Sequence, residues 1–385
     1  MLIDPDVGYY RCNGIDFASK VDACLYSSAN KKSIKWVFHQ DVFAKYPWHI
    51  EPTETLDELY DRRARQLRER YNYIIINFSG GADSYNMLCA FTRQNLHIDE
   101  ILINHTEKAT QNKNVLDPSV TASWNLNAEY QLQAVPRLRE LSDKLPRTKI
   151  TAIDVSDLIV DTISGYRDAD WVLHKHDHLS PGMPLRYNYF YYGDVKRQFD
   201  KNRTIAMIHG CDKPVTKIHN GELYVYFNDT ATNITSDKYN KDYTNVKTEL
   251  FYWSPDTADI VCKQGHTIKR WLEANPLAQK LWADADFART RLIHEKLLRT
   301  IVYSTWDQSW FQADKSKTWW HSEFDMWLFS DPAFAGAIQN WERGLNYLAE
   351  QIPEYVVYRN GVPDGIRQFT QKYCIGKVDT PAIIC

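Results

Sequence analysis

A short run of glycine, serine and aspartate residues is the clearest candidate for chemistry in this sequence. It reads Ser79-Gly80-Gly81-Ala82-Asp83-Ser84 and directly follows an apolar segment. Two adjacent glycines let the backbone turn sharply and approach an anion closely. Successive N–H groups and the serine hydroxyls then supply hydrogen-bond donors for phosphate oxygens. A lone carboxylate would repel phosphate, so Asp83 predicts that a Mg²⁺ ion lies between it and a pyrophosphate group.

The other common phosphate-binding motifs are absent from the chain, which contains no G-x-x-x-x-G-K-[ST] and no G-x-G-x-x-G. The alternative to a phosphate site is a glycine-rich turn that binds no ligand. The position of the run between a predicted strand and a predicted helix favours the phosphate site. A helix that begins there presents unpaired N–H groups and the positive end of its dipole to the loop.

Strands and helices alternate around this loop. The apolar run Tyr73–Phe78 is typical of a strand that is buried on both faces of a parallel sheet. Further strands are predicted at Glu100–Asn104, Lys149–Val155 and Thr204–His209, with helices at Ser84–Arg93, Leu126–Leu141 and Tyr187–Gln198. Pro136 is expected to kink or divide the second of these helices. Such alternation predicts an α/β fold with a doubly wound parallel sheet.

The flanking regions differ from this central part. Residues 1–70 form a predicted N-terminal extension, irregular over 1–54 and ending in a helix that begins with the capping box Thr55–Glu58. One face of that helix carries five arginines, expected to be solvated rather than to contact phosphate: Arg62, Arg63, Arg65, Arg68 and Arg70. The central domain covers 71–256, with a hairpin insertion near 215–227 around Asn220-Gly221 and a polar, loop-like stretch at 228–248. Residues 257–385 are predicted to form a mostly helical C-terminal domain.

Charge and composition limit the class of protein. The formal net charge of −3 gives no indication of nucleic-acid binding, although a local basic patch stays open. No apolar run reaches the roughly 20 residues of a membrane helix, and the acidic start lacks the layout of a signal peptide. Seven scattered cysteines without a C-x-x-C pair predict reduced thiols. We therefore expect a cytoplasmic protein with no membrane partner.

The glycine–serine run matches the SGGxDS signature of the PP-loop (N-type) ATP pyrophosphatases, and the sequence resembles that superfamily over roughly residues 70–215. The resemblance implies an adenine nucleotide alpha hydrolase-like fold. It also implies an enzyme that uses ATP and Mg²⁺ to adenylate a substrate and release pyrophosphate. By position, Ser79, Gly80, Gly81, Ala82, Asp83 and Ser84 would bind the nucleotide, with Asp83 as a Mg²⁺ ligand.

Three further places resemble the superfamily more weakly. Met183–Asn188 is similar to a P-x-R-N stretch with one residue inserted, which implies that Arg186 faces phosphate or substrate; a surface arginine is the alternative. Asp212 and Lys213 follow the predicted fourth strand and resemble a G-x-D element. Asp212 would be a second Mg²⁺ ligand and Lys213 would offset charge on pyrophosphate, unless the two form a solvated pair. Asn104 ends the second strand, where the superfamily often places the adenine or ribose.

Missing features narrow the subclass. Met1 is followed by Leu2 rather than cysteine, and the stretch before the first strand of the sheet is short, so no glutaminase domain is expected. The four-cysteine zinc cluster of deazaguanine synthases and the paired cysteines of tRNA-thiolating enzymes are also absent, and Cys211 is expected to be a small buried thiol. An asparagine-synthase-like carboxylate activator is the leading prediction, with a small-molecule acceptor and a separate ammonia or amine donor protein. The alternatives are adenylation of a nucleobase or tRNA, and a nucleotide-binding module without turnover.

Two other clusters carry weaker signals. His174, His176 and His178 have metal-ligand side chains at awkward spacing. The alternative is a mobile polar loop, which in that case could act as a lid over the ATP site. A stretch rich in tryptophan is predicted to pack in the core or to line the acceptor pocket: Trp306, Trp310, Gln312, Lys315, Trp319, Trp320 and Trp327.

Overall fold

The computed structural model describes residues 3, 8–105, 107–110, 129–157, 199–229, 244–283, 287–311, 332–359 and 362–379. The predicted helix at Tyr187–Gln198, Arg186 and the histidines at 174, 176 and 178 lie outside the described residues. Within those ranges, no helix has both the length and the apolarity that crossing a bilayer requires.

The N-terminal region contains a small antiparallel sheet. Its strands, in the order β2-β1-β3, are β1 (Tyr9–Cys12), β2 (Ile15–Phe17) and β3 (Ile34–Val37). Two helices accompany the sheet, α1 (Lys20–Asn30) and α2 (Gln40–Phe43). The prediction that residues 1–54 are irregular is therefore wrong. The strands have only three or four residues, too few to show an apolar alternation, although Asn13-Gly14 with φ of 51° and 79° is a hairpin turn.

The predicted capping box starts helix α3 (Leu56–Arg70). The Thr55 side chain accepts from the Glu58 N–H, and the Glu58 carboxylate accepts from the Thr55 N–H at 2.8 Å. The prediction of a solvated arginine face is wrong at Arg63, whose side chain is 1% exposed and donates to Glu249 at 2.8 Å. Arg62, Arg68 and Arg70 also form ion pairs with acidic side chains. Carboxylates from distant segments therefore neutralise this face.

The remaining strands, in chain order, are β4 (Tyr73–Asn77), β5 (Glu100–His105), β6 (Lys149–Asp154), β7 (Ile205–His209), β8 (Val215–His219), β9 (Glu222–Tyr226), β10 (Val246–Leu250), β11 (Val356–Arg359), β12 (Val362–Ile366) and β13 (Tyr373–Lys377). The remaining helices are α4 (Ala82–Arg93), α5 (Glu107–Thr110), α6 (Val135–Glu140), α7 (Ala258–Ala274), α8 (Pro276–Ala283), α9 (Phe287–Val302) and α10 (Ala335–Gln351). A π-helix spans Glu129–Ala134 and runs directly into α6.

A five-stranded, all-parallel sheet in the order β6-β5-β4-β7-β10 forms the centre of the α/β fold. The chain adds β5 and β6 on one side of β4, and then β7 and β10 on the other side. The point where the strand order changes direction therefore lies between β4 and β7. The stretch 228–248 was predicted to be polar and loop-like, which is wrong for its last residues, because β10 begins at Val246. β10 is an edge strand, and its Lys247, Thr248 and Glu249 hide the apolar pattern of a strand.

Both faces of the parallel sheet are covered. Ile74 and Ile76 of β4 belong to a core shared with Leu67 of α3, Leu88 of α4 and Val261 of α7. The alternate residue Ile75 belongs to a second core, shared with Val21 and Cys24 of α1 and Leu345 and Leu348 of α10. Burial on both faces explains why β4 is continuously apolar in the sequence.

The predicted divided helix around Pro136 is confirmed in its described part, because the π-helix Glu129–Ala134 precedes α6. Proline has no N–H, and its ring clashes with the carbonyl four residues earlier, so the regular α-helical ladder cannot run through this position. The chain instead takes a π-helical turn immediately before Pro136.

The predicted hairpin is confirmed as β8 and β9, joined by Asn220-Gly221 with φ of 51° and 77°. β13 adds to β9, so the hairpin belongs to a three-stranded antiparallel sheet in the order β13-β9-β8. The region after residue 257 contains helices α7–α10, and it also contributes β11, β12 and β13. A register shift between Cys374 and Gly376 interrupts the strand pattern of β13.

Candidate functional site

The glycine–serine run forms the loop that joins β4 to α4 at the carboxyl end of the sheet. We call residues 79–84 the phosphate-loop candidate. Phe78 extends β4 by donating its N–H to the Leu102 carbonyl at 2.9 Å, and α4 begins at Ala82. β4 lies beside β7 where the strand order reverses. In open parallel sheets, a ligand crevice forms outside the strand ends at such a reversal.

Only one of the two glycines is required by the backbone conformation. Gly80 has φ of +72°, and a Cβ built on it would lie 2.5 Å from the backbone nitrogen of Ala134. The loop therefore rests directly against the π-helix. Gly81 has φ of −71°, and its Cβ would only approach the Ser79 Oγ at 3.3 Å. The fold thus needs glycine at position 80, while position 81 tolerates a small side chain.

The loop leaves donors available at the start of α4. The N-cap residue Gly81 supplies no side-chain cap, and the Tyr85 N–H makes the first helical bond, to the Gly81 carbonyl at 2.9 Å. The N–H groups of Ala82, Asp83 and Ser84 thus lack an intrahelical partner. Ser79 Oγ accepts from the Gly81 N–H at 3.3 Å and lies 3.4 Å from the Ser84 Oγ. Together with the helix dipole, these donors suit an anion.

Asp83 is held from two sides. One carboxylate oxygen, Oδ1, accepts from the Lys213 ammonium and from the Tyr303 hydroxyl, the latter at 2.6 Å. Its backbone carbonyl accepts from the Tyr252 hydroxyl at 2.9 Å. The second oxygen, Oδ2, has no hydrogen-bond partner in the part of the chain that the structure describes, and the side chain is 26% exposed. Asp83 therefore keeps one oxygen available.

Lys213 connects the two predicted metal ligands. Its ammonium donates to Asp83 and, at 3.0 Å, to Asp212 Oδ1, which also accepts the Lys213 backbone N–H at 2.6 Å. Burial alone would lower the pKa of Lys213, but the charges of Asp212 and Asp83 outweigh it and raise the pKa above its usual value. Asp83, Asp212 and Lys213 are therefore brought together, with Lys213 charged at neutral pH.

The donor set fits magnesium bound together with a phosphate. Asp83 and Asp212 reach one ammonium through Oδ1, and Oδ2 of each is without a partner among the described residues. No group of three or more His, Cys, Asp or Glu side chains forms a metal cage within those residues. Mg²⁺ commonly uses one or two carboxylates and completes its shell with phosphate oxygens and water. The two aspartates are therefore suited to share one Mg²⁺ ion that is also bound by phosphate and water, rather than to enclose an ion with protein ligands alone.

Asn104 lies at the carboxyl end of β5, the neighbour of β4. Its side-chain oxygen is buried and has no hydrogen-bond partner within the described ranges. The adjacent His105 stacks on Tyr130 of the π-helix, with ring centroids 4.5 Å apart and planes at 15°. Burial lowers the pKa of His105, although Asp154 and Glu107 oppose that shift. A buried acceptor without a donor points to a ligand or to bound water at this end of β5.

Several residues that contact the loop were not predicted from the sequence. Tyr303 and Tyr252 hold Asp83, and Arg137 of α6 donates to the Gly80 carbonyl at 2.5 Å. Arg137 lies over Trp306 and Trp310, at 4.8 and 4.7 Å from the ring centroids. The contacting residues are 57 to 220 positions apart in the sequence, so no local pattern predicts them.

The structure also describes part of the tryptophan-rich stretch and Cys211. Trp306 lies in the main core and Trp310 packs against it, which matches the core-packing alternative; residues 312–331 of the tryptophan-rich stretch are outside the described part. Cys211 is buried, and burial together with the charges of Asp212 and Asp83 raises the pKa of its thiol. A thiol in that state is a poor nucleophile.

Searches of protein-family models and of curated protein sequences found no match to this chain.

Proposed function

We propose that the protein is an ATP-dependent enzyme that adenylates an acceptor and releases pyrophosphate, on a fold of the adenine nucleotide alpha hydrolase type. The observation that carries this proposal is the convergence of two segments on one crevice. The phosphate-loop candidate leaves β4, and Asp212 and Lys213 follow β7, on the two sides of the strand-order reversal. An uncapped helix start, two carboxylates and a buried ammonium are groups that suit the binding of pyrophosphate with Mg²⁺.

Each residue has a distinct task in the proposed reaction. Ser79, Ser84 and the first N–H groups of α4 bind the departing pyrophosphate. Asp83 and Asp212 would hold Mg²⁺, which when bound supplies neutralisation of phosphate charge. Lys213 places a fixed positive charge beside the loop and does not need to move there, since Asp83 and Asp212 already hold it. Groups fixed before the reaction lower its barrier because they need no reorganisation.

The nucleotide extends in this proposal from the loop toward β5. The buried side-chain oxygen of Asn104 accepts from no donor in the part of the chain that the structure describes, and an adenine amino group or a ribose hydroxyl would supply a matching donor. The stacked rings of His105 and Tyr130 provide a flat wall nearby.

A carboxylate is the acceptor class that we propose, for amide formation with ammonia or an amine from a separate donor protein. The thiolating alternative requires a reactive cysteine at the site. Cys211 is the cysteine beside Asp212, and its buried thiol with a raised pKa does not serve that purpose. Adenylation of a nucleobase needs no thiol, and an experiment distinguishes it from adenylation of a carboxylate.

The test measures AMP and pyrophosphate release from ATP and Mg²⁺ in the presence of carboxylates, deazapurines or tRNA. We expect release with a carboxylate, and a loss of at least about 100-fold in Asp83→Asn, by analogy with the removal of one preorganised group from an active site. Asp61→Asn is the matched control, because Asp61 forms an ion pair with Arg93 at the other end of α4.

Three outcomes contradict the proposal. An unchanged rate of AMP and pyrophosphate release in Asp83→Asn excludes the proposed role of the phosphate-loop candidate. Release of ADP and phosphate shows that ATP is cleaved between the β and γ phosphates and not between the α and β phosphates. ATP binding without product release for every acceptor identifies a nucleotide-binding module instead.

A further inference from the structure

Among the residues that the structure describes, Arg137 is a buried cation without a carboxylate partner. The residue is 3% exposed, and its side-chain hydrogen bonds go to two backbone carbonyls, those of Gly80 at 2.5 Å and Phe311 at 3.3 Å. No ion pair among the described residues includes it, and its Nε has no hydrogen-bond partner there. Burial lowers the pKa of Arg137 to about 10, so the guanidinium still carries its charge at neutral pH. Burying such a charge is costly, which makes a purely space-filling role a poor explanation.

Two tryptophans fix the guanidinium in place. It lies 4.8 Å from the ring centroid of Trp306 and 4.7 Å from that of Trp310, and the two rings are nearly perpendicular at 87°. Trp310 in turn contacts Tyr85 in the first turns of α4, with centroids 5.1 Å apart. Arginine over aromatic faces is attracted to the ring electrons, and the planar guanidinium has few ways to rotate in such a cage.

The contact to Gly80 determines how one peptide of the loop is oriented. A trans peptide is planar, and its C=O and N–H point in opposite directions. The Gly80 carbonyl points to Arg137, so the Gly81 N–H points away from it, toward Ser79 Oγ at 3.3 Å. Ser79 is exposed and Gly80 is buried, so this N–H faces the open side of the loop. The Ala134 backbone behind Gly80 leaves the peptide no room to retreat.

We propose that Arg137 is a positioning residue that sets the Gly80–Gly81 peptide with its N–H toward the phosphates of the nucleotide. The inference rests on the proposed function for the identity of the ligand. The charge of Arg137 also lies behind the loop, where it adds to the positive end of the α4 dipole. Without Arg137 the Gly80 carbonyl loses its side-chain donor, so the peptide is able to rotate in place, and a carbonyl oxygen turned toward phosphate would repel it.

The test uses the full chain labelled with [¹⁵N]glycine, which gives 15 glycine amides, and assigns Gly81 by its loss in Gly81→Ala. In Arg137→Met we expect the Gly81 signal to move, while those of Gly14 and Gly221, in open turns, stay in place. We expect the affinity for Mg²⁺-pyrophosphate, measured by calorimetry, to fall at least 10-fold. Arg139→Met, an exposed arginine on the same helix, is the control and changes neither value.

Because Arg137 is buried, Trp310→Leu is a second variant that keeps the guanidinium and removes one of its two rings. It is expected to move the Gly81 signal in the same direction by a smaller amount. A Gly81 signal at its wild-type position in Arg137→Met, or an affinity within twofold of wild type, overturns the inference. If the wild-type protein binds no pyrophosphate while the Gly81 signal still moves, the proposed function fails and the orientation of the peptide by Arg137 is supported.

Discussion

The hydrogen bond between Tyr303 and Asp83 allows the geometry of the site to be tested without any ligand. Tyr303→Phe removes one oxygen atom and keeps the buried ring. Asp83→Ala removes the carboxylate that accepts this bond and leaves the backbone carbonyl, which accepts from Tyr252. The two tyrosines thus contact the same residue at different atoms. A cycle of single and double variants therefore separates the side-chain contact from the backbone contact.

The burial of the two side chains sets the expected size of the coupling free energy. A hydrogen bond to a charged acceptor contributes about 1.5–3 kcal/mol to stability. The donor side is buried, since Tyr303 is 1% exposed, but the Asp83 side chain is 26% exposed, so water replaces part of the lost interaction. We therefore expect the lower end, a coupling free energy of about 1.5 kcal/mol between Tyr303→Phe and Asp83→Ala. Burial and the charge of Asp83 both raise the pKa of Tyr303, so the hydroxyl remains a donor throughout the neutral range.

The assay is the free energy of unfolding in urea for wild type, both single variants and the double variant at pH 7.5. The control cycle pairs Tyr252→Phe with Asp83→Ala. Its expected coupling is smaller than that of the Tyr303 cycle, because Asp83→Ala leaves the backbone carbonyl in place and removes only a carboxylate charge near the Tyr252 hydroxyl. Equal couplings in the two cycles would refute the assignment of Tyr303 to the carboxylate, and so would a Tyr303–Asp83 coupling below about 0.5 kcal/mol.

Two further predictions follow from the same site. Gly80→Ala is expected to lower the free energy of unfolding in urea by at least about 2 kcal/mol, because φ is +72° and the Ala134 backbone occupies the space of a Cβ. The control Gly81→Ala is expected to lower it by less than about 1 kcal/mol. Equal losses in the two variants would show that the loop is not confined at Gly80. Lys213→Met is expected to lower stability by an amount that stays constant from pH 7 to about pH 10. The folded-state pKa of Lys213 is raised, so its contribution is complete below the unfolded value of about 10.4 and is lost as the pH rises through the folded value. Unfolding measured from pH 7 to 11 checks this, and a difference that has already vanished by pH 9 contradicts it.

Local signals were sufficient for the part of the fold that carries the loop. The apolar runs of the central strands, the Thr55–Glu58 capping box and the Asn220-Gly221 turn each depend on residues close together in the chain, and each occurs where it was predicted. The edge strand β10 was missed because three of its five residues, Lys247, Thr248 and Glu249, are polar. Asn13-Gly14 was missed because very short strands flank it.

The candidate site was only partly visible in the sequence. Asp83, Asp212 and Lys213 follow strands that end at the same edge of the sheet, and topology alone brings such residues together. Tyr303 and Arg137 reach the loop from segments whose position depends on packing across the whole molecule. Arg63 was expected in solvent for the same reason, since its partner Glu249 is 186 positions away.

The pairing of β13 with β9 affects the order in which the molecule can be completed. Roughly 150 residues separate Tyr226, at the end of β9, from Lys377, at the end of β13. At a synthesis rate of about 5–20 residues per second, a ribosome needs about 8–30 seconds to cover that stretch. Throughout this interval one edge of β9, which begins nine residues after Lys213, has no partner strand and is open to pairing with other nascent chains.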